Sequence, residues 1–96
     1  MHQNSAVATL GALATDTRLR TVQLLAAAGE NGLPAGEIAR RLTVPQNTMS
    51  DHLATLTRAG VLNSERQRTS IIYRLNGSAI QDLLGFLQDN CTARGG

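Results

Sequence analysis

The chain has 96 residues, of which 42% are hydrophobic and 17% charged, a composition that suits one globular domain with a modest core and excludes a disordered chain. No apolar run approaches the roughly 18 residues of a membrane helix, the first five residues lack the basic start of a signal peptide, and the single cysteine excludes an internal disulfide. We therefore expect one cytoplasmic domain over residues 1–96, frayed at residues 1–4 and 92–96, without a membrane partner.

Basic residues are concentrated in the middle of the chain. The net charge is +2, and all nine basic residues are arginine. Residues 40–74 hold six of these arginines against two acidic residues, whereas the segments before and after are slightly acidic. A basic middle of this kind is typical of a nucleic-acid-binding surface. An ordinary solvated face is the alternative interpretation, because charge alone does not distinguish the two.

Apolar residues at three- and four-residue spacing predict four helices in the first 60 residues. Ser5 is a candidate N-cap of the first helix, while Pro34 and Pro45 are expected to open the third and the fourth. Gly29 and Gly60 are expected to end the second and the fourth. The predicted helices are Ser5–Leu13, Thr15 to the stop at Gly29, Pro34 to Leu42, and Gln46–Arg58.

The pattern changes after residue 60. Val61–Glu65 and Ser70–Leu75 are rich in β-forming residues and are separated by the polar stretch Arg66–Thr69, so they predict a hairpin with a basic tip. Helical spacing returns between Ser78 and Cys91, which predicts a last helix. The predicted fold is therefore mostly α with a β-hairpin wing, a winged helix-turn-helix with the order α-α-α-α-β-β-α.

The predicted helix Gln46–Arg58 has one apolar and one polar face. Met49, Leu53 and Leu56 recur at i, i+4 and i+7 and are expected to face the core. The outer side of the first turn and a half holds amides and hydroxyls, which suit base edges and phosphates in the major groove of DNA. The side chains predicted to contact DNA bases are those of Gln46, Asn47, Thr48 and Ser50, with His52 at the edge facing the groove.

Two alternatives stay open on this helix. Helix capping alone would also explain Asn47 and Thr48. The carboxylate of Asp51 repels phosphate, so it would accept from a cytosine amino group or pair with a neighbouring arginine. We favour the arginine pair.

Arginines outside the first turns of this helix are expected to bind the phosphates of a double-stranded operator. The arginine fork matches phosphate oxygens. Such contacts supply affinity, while the recognition helix supplies sequence choice. The predicted phosphate-binding residues are Arg40, Arg41, Arg58, Arg66 and Arg68.

Five stretches of this sequence together resemble the ArsR/SmtB family of bacterial repressors, over a span from Leu10 to Cys91. These stretches are Leu10–Arg20, Gly36–Leu42, Gln46–Leu53, Leu56–Leu62 and Ile71–Leu75. The resemblance implies a transcriptional repressor with the predicted fold. It also implies a homodimer through the first and last helices, released from its operator by a bound ligand.

The last predicted helix supports such a dimer, because its apolar residues cover too broad an arc for one buried side. One part of this apolar arc can cover the core of the protomer. The rest of the arc, together with apolar residues of the first helix, can contact a partner. A wholly intramolecular core is the alternative. The predicted interface residues are Val7, Leu10, Ile80, Leu83, Leu84 and Leu87.

The chain departs from the metal-sensing members of this family. Leu33–Ile38 lacks the paired cysteines of arsenic-sensing members, and the last helix offers Asp82 and Asp89 without a histidine. A transition-metal site needs several nitrogen or sulfur donors, so we expect no metal site and no cofactor. We interpret Cys91 as a small apolar residue near the dimer interface. The alternative is an arsenical-binding or redox-active thiol, and the inducer stays unidentified.

Two other classes of function compete with that of a DNA-binding regulator. A winged-helix module that binds protein is the main alternative, since a fold does not determine a function. The basic middle and the polar helix turn argue against it. An enzyme is not expected, because the sequence has no nucleophile–base pair, no pair of catalytic carboxylates and no phosphate-binding loop.

Overall fold

The computed structural model describes residues 1–93, which form five α-helices and a small three-stranded antiparallel sheet. In chain order the elements are α1 (Gln3–Ala12), α2 (Asp16–Ala28), a 3-10 turn (Gly29–Asn31), β1 (Leu33–Pro34), α3 (Ala35–Leu42), α4 (Gln46–Arg58), β2 (Leu62–Gln67), β3 (Ser70–Leu75) and α5 (Gly77–Cys91). The predicted order of four helices, a hairpin and a last helix is confirmed, and α4 has the predicted bounds. Within residues 1–93, none of the helices combines the length and apolar character needed to span a bilayer.

One apolar cluster joins α2, α3, α4 and the base of the hairpin. Leu25 of α2, Ile38 of α3 and Leu53 of α4 have no exposed surface. Each belongs to an apolar stripe at helical spacing, so each helix turns one face inward. The other buried members are Ala12, Val22, Ala39, Leu42, Met49, Leu56, Val61 and Leu62. This core fixes the orientation of α4 and therefore determines which of its residues face outward.

The first helix begins earlier than predicted. α1 starts at Gln3, after His2, which makes no side-chain cap. Ser5 therefore lies inside the helix and is not its N-cap. Of the ends predicted to be frayed, residues 3 and 4 are helical, while residues 94–96 lie outside the described part of the chain.

The strand β1 was missed by the sequence analysis. It pairs antiparallel with β3, with Leu33 opposite Tyr73, and the strand order is β1-β3-β2. Pro34 was predicted to open α3, but it is the last residue of β1 and precedes the helix in an extended conformation. Gly32 leads into this strand with a φ of +63°, and a Cβ atom there would lie 2.5 Å from the carbonyl oxygen of Tyr73. Only glycine fits such a close approach of two backbones.

The predicted hairpin is confirmed, although its first strand is displaced. β2 runs over Leu62–Gln67, whereas the prediction was Val61–Glu65. Gln67 is opposite Ser70, so a two-residue turn at Arg68 and Thr69 closes the hairpin. Arg68 has a φ of +56°, a left-handed conformation that tight hairpin turns require. The hairpin therefore forms a wing whose base is buried at Leu62 and whose tip is exposed.

Candidate nucleic-acid interface

A three-residue turn joins α3 to α4 and directs the start of α4 away from the core. Thr43 adopts a left-handed conformation, and the amide of Val44 donates to the carbonyl oxygen of Ala39 at 3.0 Å, which closes α3. Pro45 follows in an extended conformation immediately before Gln46. Its missing N–H costs nothing there, because the first turn of a helix leaves such groups without an intrahelical partner. The two helices and this turn form the predicted helix-turn-helix unit.

The recognition helix α4 is anchored by one face only. Met49, Leu53 and Leu56 are fully buried, as predicted. The exposed residues of α4 are Gln46, Asn47, Thr48, Ser50, Asp51, Ala54 and Arg58. All four side chains predicted to contact bases therefore lie on the surface of the protein.

Two of these four side chains make local hydrogen bonds. The amide of Thr48 donates to Oδ1 of Asn47 at 2.9 Å, and Oγ of Ser50 donates to the carbonyl oxygen of Gln46 at 3.0 Å. The N-cap position of α4 is occupied by Pro45, and the helix has no side-chain cap, so the capping interpretation of Asn47 and Thr48 is not observed. The contact of Asn47 is a local one with the next residue along the chain. The Nδ2 group of Asn47 still has two donors for another acceptor, so base contact stays a prediction at this position.

The wing and the start of α4 line one cleft. Gln46 and Ser50 of α4 lie on one side of this cleft of 280 Å³, and Thr69 and Ser70 of the wing lie on the other. The remaining lining residues are Pro34, Ala35, Gly36, Ile71 and Tyr73. Thr69 and Ser70 were not predicted to belong to the site. Their only signal was their position at the junction of the polar stretch and the second β-rich run. The cleft brings hydroxyl and amide groups of the two elements together on one face.

Three of the predicted phosphate-binding arginines are exposed and have no acidic partner within the described residues. Arg66 lies near the end of β2 and Arg68 in the turn of the wing. Arg58 lies in the last turn of α4, where a positive charge suits the helix dipole. The acidic partners within 4 Å of an arginine in residues 1–93 belong to Arg20, Arg40, Arg41 and Arg74. Among the predicted phosphate ligands, those without an acidic partner in residues 1–93 are therefore on the wing and at the end of α4.

The other two predicted phosphate ligands share one carboxylate. Nε of Arg40 donates to Glu37 Oε2 at 3.1 Å, and Nε of Arg41 donates to Glu37 Oε1 at 2.8 Å. Nη2 of Arg40 also donates to Oε1 of the same carboxylate. These hydrogen bonds, from Arg40 first and then Arg41, hold the pKa of Glu37 below its usual value. The three residues together carry one positive charge on an exposed side of α3.

Arg74 adds to the basic count of the middle segment but belongs to the structure of the wing. Its Nη1 donates to Glu65 at 2.7 Å, and its Nε donates to the carbonyl oxygen of Glu30 at 2.7 Å. The hydrogen bond from Arg74, followed by one from Gln67, lowers the pKa of the Glu65 carboxyl. Arg74 therefore ties β3 to β2 and to the 3-10 turn.

The structure corrects the position of His52. It was predicted to lie at the groove-facing edge of α4, but its Nδ1 lies 3.2 Å from Nη1 of Arg18 in α2. His52 is half-buried, next to the buried Leu53, because the inward stripe of α4 also turns its flank toward α2. We therefore leave His52 out of the base-contacting set. Arg18 is a residue that the sequence analysis missed.

The favoured alternative for Asp51 is wrong. No arginine of residues 1–93 lies within 4 Å of its carboxylate. Asp51 lies on the exposed face of α4. Acceptance from a cytosine amino group is the alternative that remains.

Apolar side chains are exposed on α1 and α5, which pack side by side. Val7 and Leu10 of α1 are 58% and 43% exposed, and Leu84 of α5 is 54% exposed. Ile80 and Leu87 are half-buried. Leu83, predicted to lie at the dimer interface, is only 5% exposed and packs inside its own chain. It is therefore not available to a partner.

The helix α5 ends at Cys91, which is exposed. Asp82 and Asp89 lie on the same helix. Over residues 1–93, no group of three or more histidine, cysteine and acidic side chains is arranged to hold a metal ion.

Comparisons with known proteins agree with this architecture. The family model described as a helix-turn-helix domain matches residues 13–65. The transcriptional activator HlyU of Vibrio cholerae is 34% identical over 89 residues, which cover 91% of this chain and 80% of that protein. The arsenic resistance transcriptional regulator ArsR1 of Pseudomonas putida is 41% identical over 64 residues, covering 67% of this chain and 48% of that protein.

Solved structures of relatives have the same fold over nearly the whole chain. HlyU from Vibrio cholerae matches with a TM-score of 0.71 and 29% identity, covering 96% of this chain and 100% of that one. The transcriptional repressor BigR from Xylella fastidiosa matches with a TM-score of 0.68 and 27% identity, covering 94% and 90% of the two chains. The chain therefore belongs to the ArsR family of DNA-binding, winged helix-turn-helix transcriptional regulators.

Proposed function

We propose that this regulator is a repressor that binds its operator as a homodimer, with the start of α4 in the major groove. The observation that carries this proposal is the exposed polar turn of α4, which faces the same cleft as the wing. Amides pair with adenine edges, and hydroxyls reach bases or phosphates. We assign base contact to Gln46, Asn47, Thr48 and Ser50, and Asp51 lies beside them.

The exposed arginines are assigned to the phosphates. Arg66 and Arg68 extend from the wing, and Arg58 lies at the far end of α4, so these three can contact the backbone on both sides of the recognition helix. Arg40 and Arg41 add a weaker positive field, because Glu37 already balances one of their charges. Phosphate contacts of this kind give affinity and fix register without selecting sequence.

The homodimer is proposed from the apolar face of α1 and α5. Val7, Leu10 and Leu84 are exposed large apolar side chains on two adjacent helices. In a second copy of the chain the same face would be present, so the two can cover each other across a twofold axis. Ile80 and Leu87 border this face, and Leu83 supports it from inside the chain.

Salt dependence tests the DNA-binding mode. An operator recovered by selection from random duplexes should bind less tightly as salt rises, because phosphate contacts release counterions. The double variant Arg66→Ala, Arg68→Ala should weaken binding to all duplexes about equally and reduce the slope of log affinity against log salt by about 2. Fluorescence anisotropy at five salt concentrations measures both quantities.

The matched control for this test is Arg20→Ala. Arg20 is an exposed arginine of α2 that lies 3.9 Å from Asp16, away from the cleft. Its replacement should leave the slope unchanged. Affinity that does not vary with salt would contradict the DNA-binding mode and would favour a protein-binding module.

No catalytic role is assigned, since the relatives are named as transcriptional regulators.

We propose that the protein acts in the cytoplasm, where its operator lies. We also propose that Cys91 is a small apolar residue beside the dimer interface. Cys91 follows Leu84 and Leu87 at i+7 and i+4, which places it on the same side of α5. Arsenicals, metals and oxidants should therefore release operator equally from the parent protein and from Cys91→Ser. Release that occurs only with the parent would instead identify Cys91 as the thiol that receives the inducer.

A further inference from the structure

Arg18, in the first turn of α2, connects three helices through one side chain. Its Nε donates to the carbonyl oxygen of Ala12 at 2.7 Å, and its Nη2 donates to that of Gly11 at 3.4 Å. Its Nη1 lies 3.2 Å from Nδ1 of His52 in α4. Gly11 and Ala12 are the last residues of α1, so α1, α2 and α4 meet at this guanidinium.

The end of α1 holds the guanidinium of Arg18 in one orientation. Carbonyl groups of a last helical turn lack partners within the helix and carry its partial negative charge. The guanidinium is planar and always charged, so its donors point in fixed directions. Because Arg18 is half-buried, water competes for these donors less than it would at an exposed arginine.

The contact with α4 is equally directional. A guanidinium only donates hydrogen bonds, so in this contact Nδ1 of His52 is the acceptor. His52 lies beside the fully buried Leu53 and one turn after Thr48, on the flank of α4. Arg18 therefore holds the middle of the recognition helix, immediately after the turn to which we assign base contact.

We propose that Arg18 is a positioning residue that fixes the angle between α1 and α4 and thereby sets the half-site spacing that the dimer accepts. This inference rests on the proposed homodimer, in which α1 lies at the interface. The two recognition helices of such a dimer must enter major-groove sites about 34 Å apart. With α1 held by the partner, any change in its angle to α4 moves the whole recognition helix along the DNA.

The test compares spacing preference in the parent protein and in Arg18→Lys. Lysine keeps the charge but replaces the fork with one ammonium group, which cannot hold three acceptors in fixed directions. Affinities are measured for the selected operator, for operators lengthened or shortened by one base pair between half-sites, and for a single half-site duplex. The spacing preference is the ratio of the affinity for the selected operator to the affinity for an operator of altered spacing. We expect this ratio to fall about tenfold, which corresponds to the loss of one charge-assisted hydrogen bond. The affinity for the single half-site should stay unchanged.

Two further variants separate positioning from general destabilisation. Arg20→Lys changes an exposed arginine of the same helix and should leave the spacing preference intact. His52→Leu removes the acceptor on α4 and should reproduce the loss seen in Arg18→Lys, and the double variant should lose no more than either single variant. His52→Leu also serves as the test if Arg18→Lys does not fold.

The outcomes distinguish this inference from the proposed function. If Arg18→Lys loses affinity equally at every spacing and at the half-site, Arg18 has a purely structural role and the inference is overturned. An unchanged spacing preference in both Arg18→Lys and His52→Leu would also overturn it. In either case a dimeric parent with a spacing preference leaves the proposed function standing. A parent without any spacing preference would contradict the homodimeric arrangement together with the inference.

Discussion

Replacing Gly32 with alanine should destabilise the fold by about 2–6 kcal/mol, a large share of the stability of a small domain. Two effects add at this position. Gly32 has φ +63° and ψ −170°, a region that costs a residue with a side chain about 1–3 kcal/mol. The new Cβ would also lie 2.5 Å from the carbonyl oxygen of Tyr73, 2.7 Å from Cγ of Arg74 and 2.9 Å from Cγ2 of Ile72. Such overpacking adds about 1–3 kcal/mol.

Gly29 provides a matched control for this prediction. Its φ of +65° and ψ of −146° lie in nearly the same region, but a Cβ atom there would have no neighbour within 4 Å. Gly29→Ala should therefore show the backbone cost alone. Urea denaturation of the two variants measures the difference, which we expect to be about 1–3 kcal/mol. Equal losses would show that β3 moves aside without cost.

Placing a carboxylate on the exposed apolar face of α1 and α5 should abolish the dimer and with it most of the operator affinity. The double variant Val7→Glu, Leu84→Glu sets two charges against their symmetry-related copies in an interface that excludes water. A monomer can bind only one half-site, so the loss of the linked second contact should lower operator affinity about 10²–10⁴-fold. Sedimentation velocity gives the mass, and anisotropy titration gives the affinity.

Two controls define the result of that experiment. Ala27→Glu adds one carboxylate at an exposed position of α2, outside the apolar face, and should leave mass and affinity unchanged. A single half-site duplex should bind the monomeric variant as tightly as one protomer of the parent. A variant that stays dimeric would show that the protomers meet through another surface, and a weakened half-site affinity would show that the recognition helix itself was disturbed.

The recognition helix could be predicted from sequence because its signals are local. Met49, Leu53 and Leu56 mark one face at helical spacing, and Pro45 and Gly60 bound the helix. The exposed polar turn follows directly once that face is known. The bounds of α4, its buried face and its exposed first turn were therefore predicted correctly, whereas His52 on the flank was not.

The features that escaped prediction depend on contacts between distant parts of the chain. β1 has two residues, one of them a proline, so it shows no alternation, and it exists because Gly32 lets the chain lie against β3. The partner of His52 is 34 positions away, at Arg18. No local pattern in either segment indicates this pair. The displacement of His52 from the groove could be seen only when α2 and α4 were packed together.

The carboxylate of Glu37 has a consequence for how Arg40 and Arg41 would meet DNA. A free arginine samples many rotamers and loses that freedom when a phosphate captures it. The side chains of Arg40 and Arg41 both donate to Glu37, so part of that freedom is already given up before DNA is bound. Because Glu37 balances one of their charges, Arg40 and Arg41 contribute less to the salt-dependent attraction. Their contacts with phosphate would, however, be better oriented than those of a free arginine. We therefore expect the arginines of the wing to adjust their conformation when they meet the duplex, whereas Arg40 and Arg41 are oriented beforehand.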